Sequence, residues 1–213
     1  DLNITLADIA ALPAATFKLA VVGDLNMSGG RPDWGNPHLE VDSIGVKGPL
    51  GPLDIEGYIK FFDNDIIYGN GMKGALQAKL DLGVNKIVIN SHIMFGYTTF
   101  NYFYVDLSYL TTLGTPIVPP VSMFGLGGGV YYNMLKTDDI SPAALLKGTT
   151  NDLNRYKPAS NIIGFKASIV VGVGNGTPFH ATGTLEMKFT SDFGIKTVEL
   201  DVDAAMMAEL TSD

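Results

Sequence analysis

The sequence predicts an all-β protein of about ten long, mostly antiparallel strands in a curved meander, forming a half-closed barrel or a sandwich with one long insertion. Three observations lead there. Apolar and polar residues alternate with period two over long stretches, as on a pleated strand with one buried face. Four such segments follow one another between residues 54 and 110, separated by turns rich in glycine and asparagine. In Asp54-Ile55-Glu56-Gly57-Tyr58-Ile59-Lys60-Phe61, for example, Ile55, Ile59 and Phe61 fall on one side and Asp54, Glu56 and Lys60 on the other.

Taken in order, a short helix is expected near Leu6 to Leu12, ended by Pro13. A strand follows at 16–27, with Phe17, Leu19, Val21, Leu25 and Met27 on one face. The turn formers of 28–37, which include the only tryptophan, Trp34, predict a loop. Strands are then expected at 39–47, 53–63, 72–82, 86–97, 100–111, 120–133, 161–174, 179–190 and 194–207. The polar stretch 134–160 reads as an insertion, and Ser141-Pro142 with Gly148 brackets a helix of one or two turns inside it. Gly57-Tyr58 with Gly69-Asn70-Gly71 is echoed by Gly164-Phe165 with Gly174-Asn175-Gly176, a weak internal repeat of strand, turn and strand. The whole of 1–213 reads as one domain whose concave side carries much of the apolar parity.

Composition narrows the function. The chain is 46 % hydrophobic and 17 % charged, with a net charge of −8 and acids outnumbering bases 22 to 14. That composition builds a core and argues against binding the phosphates of nucleic acid. With no cysteine there is neither a disulfide nor a thiolate metal site. Residues Asp1 to Leu6 carry no basic leader or apolar run, so the expectation is a mature chain or a domain excised from a larger one. No stretch of 18 apolar residues predicts a transmembrane helix.

Candidate sites are sparse. Asp63 and Asp65, beside the Gly69-Asn70-Gly71 turn, offer oxygen ligands of the kind calcium takes, without the twelfth-position acid of a complete calcium loop. Asp138, Asp139 and Asp152 lie in the insertion, where two carboxylates across a groove would suit glycan hydrolysis. His38, His92 and His180 stand singly, and His92 shares the polar parity of its strand, which predicts a surface group. No nucleophile-elbow spacing occurs. Tyr97, Tyr102, Tyr104 and Tyr131 are the candidate binding residues, an aromatic face able to hold a protein or glycan. In Phe124-Gly125-Leu126-Gly127-Gly128-Gly129-Val130-Tyr131 no phosphate-loop lysine follows the glycines, so they are read as letting a neighbouring element approach or the sheet coil.

The segments 124–134, Gly164-Phe165-Lys166-Ala167 and 183–189 resemble a β-rich module of very large, poorly characterised secreted or cell-surface proteins of Bacteroidota-type bacteria, over roughly residues 40 to 207. The resemblance implies a piece of a larger polypeptide at the cell surface and carries no catalytic residues. The leading expectation is a non-enzymatic structural or interaction module without a cofactor, whose partners are other domains of the same polypeptide or a surface protein. One alternative is a carrier of an apolar ligand in a lidded barrel, with Phe61, Ile93 and Phe124 lining the cavity. A glycan hydrolase is another. An outer-membrane barrel also suits alternating strands of about ten residues, against the objection that one parity is strongly polar unless it lines a polar lumen.

Overall fold

The computed structural model describes residues 2–5, 14–28, 31–137, 152–174 and 178–206. They form one sheet of eleven strands in sequence order, every neighbouring pair antiparallel. The strands are β1 (Leu2–Thr5), β2 (Ala14–Ser28), β3 (Arg31–Leu50), β4 (Leu53–Asp65), β5 (Gly69–Asp81), β6 (Lys86–Tyr97), β7 (Asn101–Val118), β8 (Val121–Lys136), β9 (Tyr156–Val173), β10 (Phe179–Phe189) and β11 (Ile195–Met206). A 3-10 turn over Asp152–Arg155 precedes β9. The meander is thus as expected, in a single sheet rather than a sandwich. It is not closed into a barrel: β1 and β11 are its two edges.

Three boundaries differ from expectation, each for a reason of pairing. The predicted loop at 28–37 is largely strand, because β2 continues as a ladder partner through Asp24↔Gly35 to Ser28↔Arg31. Its turn formers are absorbed by a register shift between Val22 and Asp24 and by the left-handed backbone of Asn36, φ 49°. The insertion is shorter than 134–160, since Met134, Leu135 and Lys136 pair with Pro158, Lys157 and Tyr156. A four-residue strand, β1, adds to the ten expected. The helices expected at 6–12 and 141–148 lie outside the described residues. Both members of the internal echo, β4–β5 and β9–β10, are hairpins.

A single sheet buries side chains only where it curls around them or where another segment covers them, and both occur on one face. The 3-10 turn and the start of β9 fold onto that face, so that Leu153, Arg155 and Tyr156 are buried. Leu153 and Tyr156 pack there with Phe62, Met94, Tyr104, Tyr131 and Met134. A smaller cluster of Val88, Leu110, Phe124 and Val170 fills the other end. Between these clusters the inner face is polar. Asn90, His92, Asp106, Lys166, Thr182, Thr184, Glu186 and Lys188 are all buried. The expectation of an apolar concave side is therefore overturned. Period-two alternation fixes which residues share a face but not which face turns inward.

Candidate functional site

The outward face is built row by row from the strand register. One row runs Phe61, Met72, Phe95, Phe103, Tyr132, Ile163 and Phe189 across seven strands. Its rings stack side by side, Phe95 on Phe103 at 6.3 Å and Phe103 on Tyr132 at 6.0 Å, while Phe165 from the next row meets Phe189 edge-on at 5.9 Å. That next row is Ile59, Gly74, Ile93, Val105, Val130, Phe165, Met187 and Val198. Two more follow: Gly57, Leu76, Ser91, Leu107, Gly128, Ala167, Leu185, Leu200, and then Ile55, Ala78, Ile89, Tyr109, Leu126, Ile169, Gly183, Val202. None of these positions carries a charge.

Exposure inverts the usual order of a soluble sheet. Leu200 is 69 % exposed, Val202 62 % and Leu107 57 %, whereas Thr184 and Glu186, facing inward from β10, are 2 % and 3 % exposed. The turns 66–68, 98–100 and 190–194 lie at the aromatic end. The opposite end has short turns, among them Gly51-Pro52 and the cis Pro119–Pro120 turn.

The inner face is held by a charge network spanning β6 to β11. Asp106 on β7 is its centre: Oδ1 lies 2.7 Å from His92 Nδ1, and Oδ2 accepts from Tyr104 Oη and Lys166 Nζ, both at 2.5 Å. Lys166 also donates to Tyr104 Oη, and its ammonium stands 4.9 Å from the centre of that ring. Lys166 belongs to β9 and must cross β8 to reach Asp106. It crosses at Gly129, where a Cβ would lie 2.8 Å from both Asp106 Cβ and Lys166 Cε. On the next strands, Tyr131 donates to Glu186 Oε1 at 2.5 Å, Lys136 approaches Glu186 at 3.6 Å, and Lys188 bridges Glu186 and Glu199 at 3.7 and 2.8 Å. The ring of Tyr131 lies against the backbone of Gly164, where any side chain would collide with it. Asp106, Lys166, Glu186 and Lys188 thus each face an opposite charge, the condition for tolerating such groups away from water.

The four expected binding tyrosines do not form one face. Tyr97 is 53 % exposed beyond the aromatic row, while Tyr102, Tyr104 and Tyr131 are buried on the inner side, with Tyr102 donating to the Tyr68 carbonyl at 2.7 Å. They point inward because the even parity of β7 and the odd parity of β8 at Tyr131 face the curl, where Leu153 and Tyr156 cover them. His92, expected at the surface, is buried against Asp106 for the same reason. Phe61 and Ile93 stand on the outward face and Phe124 on the inner one, so no common cavity joins them. Asp65 Oδ1 accepts the backbone N–H groups of Ile67 and Tyr68 at 2.8 and 2.9 Å, and Asp63 Oδ1 accepts from Asn64 Nδ2 at 3.2 Å. That is turn chemistry. Those two amides hold the Asp65 carboxyl below its ordinary pKa. Among the described residues no three histidine or acidic side chains gather as a metal site. Asp138 and Asp139 lie outside the described residues. Compared with protein-family models, curated proteins and solved structures, the chain matches none.

Proposed function

We propose that the sheet is the lipid-facing wall of a membrane-embedded β-barrel, a structural rather than catalytic role. The observation that carries this reading is the uncharged outward face from β4 to β11, set against an inner face whose ion pairs and hydroxyls are buried from β6 to β10. In a bilayer the outward side of a barrel meets hydrocarbon and the inner side meets a polar lumen, so the two parities exchange the places they hold in a soluble sheet. Dimensions support it. Outward residues Phe179 and Phe189 end the eleven residues of β10, about 34 Å along the strand and about 25 Å along the membrane normal at the usual tilt. The aromatic row supplies an interfacial girdle at one end. Exposed to water, eight strands of this face would present an apolar surface on the order of 1,000 Å², beyond the roughly 300–600 Å² of a typical soluble monomer.

This reading keeps the expectation of a cell-surface structural module and gives it a bilayer as its setting. The polar parity that spoke against a membrane barrel is accounted for as lumen lining. An apolar-ligand carrier is supported less well, since tyrosines and paired charges occupy the inner face.

The absence of cysteine makes the test clean. Single cysteines at Leu107, Leu185 and Leu200 are compared with one at Val84, in the exposed β5–β6 turn. After refolding into phosphatidylcholine vesicles, the first three should resist a water-soluble maleimide and be reached by quenchers carried on lipid tails, while Val84→Cys reacts freely. Equal labelling at all four sites would reject the wall.

A further inference from the structure

The sheet ends at β11, and that edge has a chemistry of its own. β11 is twelve residues long and pairs, among the described residues, only with β10. β1, at the other edge, has four residues and cannot satisfy a twelve-residue ladder. If the wall stands in lipid, this row of backbone groups must be paired, because hydrocarbon offers no hydrogen bonds to a free edge. The inward side chains of β11 state what the partner must carry. Glu199 is met by Lys188 at 2.8 Å, and Asp201 comes only within 4.0 Å of Lys136. Across β10, Asp201 and Asp203 face Thr184 and Thr182, which supply no positive charge. Asp203 Oδ2 is buried and has no hydrogen-bond partner. A buried carboxylate oxygen left this way is costly, and β11 is the last paired strand of the sheet on that side.

We infer that the β11 edge receives a strand from a partner polypeptide that carries lysine or arginine at two inward positions, i and i+2, opposite Asp201 and Asp203, with apolar residues outward between and beside them. The binding mode is strand addition, in which the ladder supplies affinity and alternate side chains supply specificity. A second copy of this chain does not fit. Antiparallel pairing of β11 with itself brings the inward acids Glu199, Asp201 and Asp203 opposite or diagonal to one another, and like charges across a ladder repel.

This inference rests on the wall reading for its reason but is tested separately. The chain, refolded in zwitterionic micelles, is titrated with three labelled eleven-residue peptides and followed by fluorescence anisotropy. One alternates lysine with valine, one alternates glutamate with valine, and one has the lysine–valine composition in two blocks. The alternating lysine peptide should bind at least tenfold more tightly than either other, and the double variant Asp201→Lys/Asp203→Lys should reverse the preference toward glutamate. Equal binding of the block peptide would reduce the effect to net charge and overturn the inference. So would no binding by any peptide, or efficient disulfide-linked dimerisation of a Val202→Cys variant. Failure of the wall appears instead in the vesicle labelling, which does not depend on the edge.

Discussion

At the scale of single residues, the inner network makes sharp demands. Asp106 has three donors around one carboxylate, so replacing it with leucine strands Lys166 in a buried site and should cost about 3–5 kcal/mol. Urea unfolding in micelles reads that cost, and adding Lys166→Met should recover much of it, because two well-packed apolar groups replace a pair rather than break one. Gly129→Val should destabilise by about 1–3 kcal/mol, since its side chain would enter the space where Lys166 passes Asp106. Asp65 lies four residues beyond Phe61, outside the apolar band, and its pKa is lowered by two amides. A depressed carboxyl stabilises the fold above its unfolded pKa, and that contribution is lost as pH falls through the folded value. Protection of the Ile67 and Tyr68 amides against hydrogen exchange should therefore drop in that acidic window, and Asp65→Ala should remove it at every pH. None of these partners was legible in the sequence. His92 and Asp106 are separated by 14 positions and Asp106 and Lys166 by 60, and only the register brings them together. The glycines of 125–129 did carry a signal, a sheet built for close approach, without naming what approaches.

At the scale of elements, the strands were readable because alternation and turn chemistry agree. Hairpins β4–β5, β5–β6 and β6–β7 fall within a few residues of their expected positions. The ends of β3 and β8 were not readable, since Arg31 to Pro37 and Met134 to Lys136 look like loop until a partner strand supplies their ladder. Facing was hidden for a different reason. A strict alternation of apolar and polar residues describes equally a strand whose apolar side meets a core and one whose apolar side meets lipid. The two cases separate on substitution along one strand. On β7, Leu107→Arg sits near mid-height of the outward face and should cost about 2–4 kcal/mol in lipid, whereas Phe103→Arg, at the aromatic row, should cost about 0–1 kcal/mol from charge. Unfolding titrations in thin-bilayer vesicles give both numbers. Equal costs at the two heights would point to a covering protein rather than a bilayer.

At the scale of the whole molecule, an uncharged outer face makes behaviour depend on the solvent. In buffer alone the chain should form a broad distribution of species by sedimentation velocity, and micelles should resolve it to one, because detergent covers the rows that run from Phe103 down to Tyr109. The strict neighbour-to-neighbour order of the eleven strands has a further consequence. Moving β10 along β9 by a single residue would exchange its two faces, presenting Glu186 and Lys188 to hydrocarbon and turning Leu185 and Met187 into the charge network. A cation costs about 2–4 kcal/mol at mid-depth and about 0–1 kcal/mol near the interface, so Lys188, beside the aromatic row, would cost least. In the proposed wall the bilayer is a proofreader of strand pairing: the contrast between the two faces is the code against which a mis-threaded sheet is checked.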